Sequence, residues 1–481
     1  MSGTPAVVWF RQDLRLADNP ALEAAIESGS PVLPVFVWSP EEQAPWAPGS
    51  ASRWWLHQSL EKLRDSLRER GSELILRRGP ATDALPGLAA ESGARAIYWN
   101  RLYEPAAIAR DAELKKVVRA HGLIAESFPG NVLFEPWTIR NSNGEPFRIF
   151  TAFWKACLRA PAPPPPKDAP ERIPAPAKRP ESLAVSELGL EPAIDWAGGL
   201  RQAWRPGEAE AAAQMRTFLG RAVEAYSVER DRPDHHGTSR LSPYLHFGEV
   251  SPRQVWHGAR GREGGPLAEA YLRQIVWREF AYHLLFHYPE TPQQPLRPEF
   301  GFVPWHLDEP SLKAWTRGKT GYPMVDAGMR ELWHTGWMHN RVRMVVASFL
   351  VKHLLISWQE GAAWFWDTLV DADLANNTMG WQWVAGCGAD AAPYFRIFNP
   401  VIQGEKFDPR GDYVRHWVPE LARLPAAWIH QPWKAPAPVL AEAGIVLGTT
   451  YPAPIVIHEA ARARALAALA SMRGRRGSPS R

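Results

Sequence analysis

The stretch Asp371-Ala372-Asp373-Leu374-Ala375-Asn376-Asn377-Thr378-Met379-Gly380-Trp381-Gln382-Trp383 sets two carboxylates two residues apart, then two amides, then two indoles. The run before it, Ala363 to Val370, predicts a buried helix, so Asp371 and Asp373 fall at its end beside apolar neighbours. Buried polar groups need partners, and Asn376 and Asn377 each offer a donor and an acceptor. Taken alone, the stretch reads equally as an acidic helix end, a capped turn and two core tryptophans.

Two further constellations share its character. Tyr271, Gln274, Trp277 and Arg278 recur at i, i+3, i+6 and i+7 and so share one helical face. Asn340, Arg343 and Met344 do the same at i, i+3 and i+4, with Arg341 to one side. Such faces make either an interhelical polar network or the wall of a site for a large, flat, polar ligand. Thr238-Ser239-Arg240-Leu241-Ser242 gathers hydroxyls and N–H groups at a loop–helix junction. That composition suits a phosphate, although such clusters also cap helices. The histidines lack zinc-type spacing, and no metal site is expected. Cys157 and Cys387, the only cysteines, exclude a disulfide framework and a four-cysteine iron–sulfur site. Without a P-loop lysine or a nucleophile elbow, hydrolytic chemistry has no candidate.

The elements that must hold these residues fall into two kinds. Val7–Phe10, Val32–Val37, Glu73–Leu76 and Ala96–Trp99 are short β-rich runs, separated by helical stretches at Pro20–Ser28, Arg53–Arg70, Thr82–Glu91 and Pro105–Ala120. This alternation predicts an α/β domain, a Rossmann-like doubly wound parallel sheet, over residues 1–134. Arg11-Gln12-Asp13-Leu14-Arg15-Leu16 stands where a dinucleotide fold would carry GxGxxG. Residues 135–205 read as a connector, with proline-rich Ala160–Lys178 extended. Residues 206–471 predict an all-α domain, with helices over Glu208–Tyr226, Leu267–His287, Met324–Thr335 and Arg341–Ile356. Residues 472–481 read as a disordered basic tail. Two or three domains suit 481 residues, and 45% apolar with 22% charged residues describes a globular chain. No apolar run is long enough for a membrane span, and no signal peptide is visible. A reducing cytoplasm is expected. Net charge is only +4, yet 55 Lys plus Arg permit a basic patch, and 24 tryptophans mean either unusually aromatic helix packing or indoles that act as stacking surfaces or redox centres.

Six motifs carry a resemblance: Thr238–Ser242, Trp277-Arg278-Glu279-Phe280, Gly318-Lys319-Thr320-Gly321-Tyr322-Pro323, Gly336-Trp337-Met338-His339-Asn340-Arg341, Asp371–Trp383, and Tyr394-Phe395-Arg396-Ile397-Phe398-Asn399-Pro400. With them the chain resembles the photolyase–cryptochrome family from Val8 to Trp433, most closely the bacterial photolyases that repair cyclobutane pyrimidine dimers. The resemblance implies one reduced FAD per chain. Tyr226 and Thr238, Ser239, Arg240, Leu241 and Ser242 would hold its phosphates. Tyr271, Gln274, Arg278, Asn340, Arg343, Asp371 and Asp373 would line the remainder, Asp371 pairing with Arg343. Asn377 would face flavin N5, where an amide offers no acidic proton. Trp381, Trp358 and Trp305 match the electron relay. Trp277 and Trp383 match the aromatic walls of the lesion pocket, and Trp381 and Trp383, two apart, cannot share a helical face. Arg230, Gln274, Asn340, Arg341, Met344 and Arg396 match lesion or DNA-backbone contacts.

The implied activity is light-driven repair in single- or double-stranded DNA by a monomeric enzyme, with the lesion flipped out of the stack, as enzymes that act on a base require. Two positions depart from the pattern. Gln274 stands where repair enzymes usually carry Glu, and Tyr271 replaces a Trp. Ala106 and Ala107 replace the Asn and Glu of folate-binding relatives, leaving the antenna open among methenyltetrahydrofolate, a deazaflavin, a flavin or none. The alternative is a cryptochrome, a photoreceptor without repair, against which stand Trp277, Trp383, Asn340, Met344, Asn377 and the lack of a long tail after Trp433. Relatives that repair six-four photoproducts carry histidines where Asn340 and Met344 stand.

Overall fold

The computed structural model describes residues 3–260, 265–394 and 396–475. Contacts divide the chain into two compact units, Met1–Glu224 with Ser239–Pro289 and Val370–Leu374, and Ala225–Thr238 with Glu290–Leu369 and Ala375–Arg481.

The first unit opens with β1 (Ala6–Phe10), α1 (Pro20–Glu27), β2 (Val32–Trp38), α2 (Ser50–Glu69), β3 (Ile75–Arg78), α3 (Ala81–Ser92), β4 (Ala96–Asn100), α4 (Pro105–Ala120) and β5 (Ile124–Phe128). The strands form one parallel sheet in the order β3-β2-β1-β4-β5. Every residue of β1, β2 and β4 is buried, as expected of strands covered on both faces. Val7, Trp9, Val35, Ile97 and Trp99 share a core with Leu85 and Leu88 of α3 and Leu114 and Val118 of α4. The fifth strand, IAESF, escaped the sequence reading. It is an edge strand with exposed Ile124 and Glu126 around buried Ala125, so it carries no apolar run. β3 begins at Ile75, two residues later than expected.

The strand order reverses at β1, where a ligand crevice would be expected. Its carboxyl end holds the chain's own side chains. Arg11 Nη1 lies 2.8 Å from Asp111 Oδ1, and Asn100 Nδ2 donates to Asp13 Oδ2 (2.6 Å) and Asn19 Oδ1 (2.8 Å). Fully buried Arg15 donates to the carbonyls of Asp18, Gly130 and Gly248. The RQDLR segment is therefore an internal tie between the sheet and the following helices.

The same unit continues through α5 (Phe150–Arg159), α6 (Gly198–Ala203), α7 (Glu208–Arg221), α9 (Ser242–His246), α10 (Pro252–Arg260) and α11 (Gly265–His287), with α8 (Tyr226–Glu229) belonging to the second unit. Two expectations need correction. The segment 135–205 is no uniform connector, because α5 lies within it and packs on α11; Ala160–Lys178 does lack helix and strand. The helix from Glu208 stops at Arg221 rather than Tyr226.

Glu249 is buried in this unit, accepting from Ser59 Oγ (2.6 Å) and Trp55 Nε1 (3.1 Å). Desolvation outweighs these bonds and pushes its carboxyl from 4.5 up to about 8. Because the folded state holds the proton more tightly, this group's stabilisation is full below 4.5 and is lost as pH rises through 8. Glu249→Gln is therefore expected to flatten the pH dependence of thermal stability across that window. An unchanged slope in melting curves recorded from acid to mildly alkaline pH would refute it.

The second unit adds α12 (Glu309–Thr316), α13 (Pro323–Thr335), α14 (Asn340–Ser348), α15 (Trp358–Thr368), α16 (Leu374–Ala385), α17 (Pro400–Phe407), α18 (Asp412–Trp417), α19 (Ala437–Ala443) and α20 (His458–Arg475). The helix expected to reach Ile356 ends at Ser348 and gives way to a π-turn, Phe349–His353. The supposedly buried run Ala363–Val370 is a one-sided helix that stops at Thr368 and exposes Ala363 and Asp367. Met472 to Arg475 continue α20 rather than opening an irregular tail, and 476–481 lie outside the described residues. Among the described residues no helix is long and apolar enough to cross a membrane.

Candidate active site

In the first unit the singled-out residues stand on α11, on the 370–374 turn and beside α9. Tyr271 and Trp277 project from α11 onto different supports. Tyr271 is buried against Phe218, with ring centroids 4.6 Å apart. Trp277 is half-buried and stacks on Phe150, the first residue of α5, at 3.7 Å and 7°. Phe280 meets both rings edge-on. Gln274, one turn before Trp277, is half-buried. Phe150 escaped the sequence reading because nothing local marks it; only the packing of α5 on α11 brings it beneath the indole.

Arg278 is directed elsewhere. Its Nη1 donates to Asn131 O (2.8 Å) and lies 3.3 Å from Glu279, while Glu279 Oε2 accepts from the N–H groups of Leu133 (2.7 Å) and Phe134 (3.2 Å). The pair thus clamps the loop after β5, and desolvation pushes Glu279 up to about 7. The Arg278 guanidinium also lies over Tyr282, whose hydroxyl donates to Asp373. His246 Nδ1 stands 3.9 Å from Asp373, an ion-pair separation rather than a hydrogen bond. Burial opposes ionisation of Asp373, but His246, Arg278 and Tyr282 outweigh it and hold the carboxyl well below the usual range. Glu104, which caps α4, is shifted the other way by desolvation and by Asp373. Two carboxyls driven apart in this manner give one fixed anion. Asp371 is buried beside it.

Ser239 to Ser242 lead into α9. Gln214 donates to Ser239 O (2.9 Å), the Leu241 N–H reaches Ser239 Oγ (3.4 Å), and the Arg240 guanidinium lies over Trp204. Arg240 has φ +51, an uncommon conformation for a non-glycine residue that turns the backbone sharply before α9.

In the second unit α14 presents Asn340, Arg341, Arg343 and Met344. His339 caps it, its Nδ1 accepting from the Arg341 N–H (3.2 Å). Burial pushes His339 down to about 4, so the ring is neutral with its proton on Nε2. Asn340 Nδ2 lies 4.0 Å from Met344 Sδ, which puts both on one face. Arg343 Nε donates to Met338 O (2.7 Å). Arg341 Nη2 pairs with Asp231 (2.8 Å) and its guanidinium sits 4.4 Å over Phe407, while Arg230 Nε is 3.9 Å from the other oxygen of Asp231. Two of the three expected backbone-contact arginines are thereby brought together. The third, Arg396, is exposed, and its carbonyl accepts from buried Lys352 (2.8 Å), which burial pushes down to about 7.

Asn377 and Trp381 are one turn apart on α16. Asn377 Nδ2 donates to Ala362 O (3.1 Å). Trp381, 2% exposed, packs against Phe365 (5.0 Å) and Trp315 (6.3 Å), both edge-on, and its Nε1 is buried without a partner among the described residues. A Cβ on Gly361 would strike the Trp381 ring, so that glycine makes room for the indole. Trp358 is equally buried, at 2%, while Trp305 is half-buried on an irregular segment. Trp383 is half-buried and Tyr226 buried, with Arg230 over the Tyr226 ring.

Residues 6–172 match the family model described as DNA photolyase, and residues 271–471 match the FAD binding domain of DNA photolyase. The deoxyribodipyrimidine photo-lyase of Agrobacterium fabrum is 49% identical over 98% of each chain. Cryptochrome-1 of Arabidopsis thaliana is 44% identical, over 98% of this chain and 71% of its own. A solved bacterial class III photolyase from Agrobacterium tumefaciens superposes with a TM-score of 0.96, at 49% identity and 98% coverage of both chains. The chain belongs to the photolyase–cryptochrome family, and its helical portion is that family's FAD-binding domain. Within the second unit the residues present fit such a group: a buried indole N–H without a partner among the described residues, and an amide one turn away.

Proposed function

We propose that the protein is a deoxyribodipyrimidine photo-lyase that uses light to split cyclobutane pyrimidine dimers in DNA. FAD, when bound in its reduced form, supplies the photoexcited electron. Tyr226, the 238–242 turn, Tyr271, Gln274, Asp371, Asp373, Asn340, Arg343 and Asn377 are the residues we assign to it. Arg278 joins this set as a positioning residue that acts through Tyr282 and Asp373. Trp381, Trp358 and Trp305 would return the flavin to its reduced state, the first two buried and only Trp305 part-exposed, as the outer end of an inside-to-outside path requires. A second, antenna chromophore of open identity would serve the α/β domain. The expected setting is a cytoplasmic monomer acting on single- or double-stranded DNA.

The observation that carries this reading is Trp277 braced flat on Phe150 on the face it shares with Gln274. A large ring held rigid and only half-buried suits stacking against a flipped lesion. Asn340 and Met344 present amide and thioether on one face, with Arg230 and Arg341 close by for phosphates. The likeness to Cryptochrome-1 favours a second reading, a blue-light receptor without repair. One experiment separates them: the reduced protein is mixed with dimer-containing DNA, illuminated with blue light, and the restored thymines are counted. Repair is expected only in the light. Flavin binding with no restored thymine would select the receptor reading, and absence of FAD after reconstitution would sink both.

A further inference from the structure

We propose that Asp231 is an internal anion that competes with DNA phosphate for Arg341 and so sets how readily bound DNA is released. The proposal deepens the DNA-repair reading and rests on it. Arg341 Nη2 and Asp231 Oδ2 are 2.8 Å apart, with side chains 18% and 33% exposed, so solvent-borne phosphate can reach the pair. Arg230 Nε lies 3.9 Å from Oδ1 of the same carboxylate, which leaves one acid facing two guanidinium groups. Arg232 of the same segment is paired with Asp234 instead. His339, which caps α14 beside Arg341, is neutral and adds no competing cation.

Asp231 could instead serve to aim Arg341, and the two roles predict opposite outcomes. The Arg341 guanidinium keeps another restraint, the Phe407 ring at 4.4 Å, so its position does not rest on the carboxylate alone. A part-exposed ion pair also contributes little to holding a fold together. Competition therefore outweighs positioning.

The test is Asp231→Asn, with duplex affinity measured with and without a cyclobutane dimer as salt rises from about 50 to about 200 mM. The variant is expected to bind both duplexes about ten-fold tighter at the lower salt and about three-fold tighter at the higher, the log–log slope steepening by about 0.9 for one further phosphate neutralised. Dissociation should slow by matching factors. Placed on an Arg341→Gln background, the substitution should lose most of its effect. Weaker or unchanged binding with an unchanged slope would overturn the proposal, as would a full effect without Arg341. Asp231→Ser provides the same readings should the amide variant fold poorly. Wild-type protein that binds no DNA at any salt would instead overturn the repair reading beneath it.

Discussion

Trp381→Phe is expected to slow photoreduction of oxidised FAD by about ten-fold or more, because phenylalanine is far harder to oxidise than indole and each tenfold needs only about 1.4 kcal/mol of barrier. Trp381 is 2% exposed and wedged between Phe365, Trp315 and the bare backbone of Gly361. Phenylalanine keeps an aromatic ring in that slot and removes only the larger part of the indole, so the fold and the flavin should survive. Trp305→Phe should slow the same reaction while sparing repair by chemically pre-reduced enzyme, since in the proposed relay its half-buried ring would serve only to reset the flavin. The check is absorbance of oxidised flavin under blue light with an external reductant present. Unchanged photoreduction in both variants would remove these residues from the relay.

Trp277→Ala is expected to weaken binding to dimer-containing DNA by roughly ten-fold or more, from stacking of about 1 to 3 kcal/mol per base. Phe150 decides how much of that is realised. With one indole face fixed at 3.7 Å on Phe150, the ring arrives ordered and loses little rotational freedom on binding. Phe150→Ala should therefore reproduce part of the loss without touching any DNA-facing residue. Affinity for undamaged DNA should change little in either variant, whereas Arg341→Ala should weaken both kinds of DNA and flatten the salt dependence. A Trp277→Ala loss that was equal for damaged and intact duplex would refute the pocket assignment and favour the receptor reading.

The elements with strong local signals were readable in the chain itself. Fully apolar runs at β1, β2 and β4, and proline or asparagine at helix starts such as Asn19-Pro20, specify their structure within a few residues. The family motifs likewise carried the flavin-binding domain, because chemistry at a cofactor constrains residue type and spacing together. What the chain could not announce were features made by partners distant in sequence. β5 is a strand because β4 lies beside it, since only one of its five residues is buried and it carries no apolar run. The π-turn at Phe349–His353 interrupts a sequence whose helical periodicity runs straight through it.

The site divides along the same line. Residue types at 371–383 singled that stretch out, but the charge on Asp373 depends on His246, Arg278 and Tyr282, all far along the chain. Asp231 precedes Arg341 by more than a hundred residues, and nothing in either neighbourhood predicts their pairing. Arg278 looked like a ligand-facing member of its helical stripe, yet its guanidinium is taken by the Asn131 carbonyl and Glu279. Local sequence sets backbone preference and burial pattern through interactions a few residues long. Which charges meet, and hence which carboxylate stays ionised and which arginine is already paired, follows from Coulomb forces and desolvation between groups that only the folded chain brings within reach.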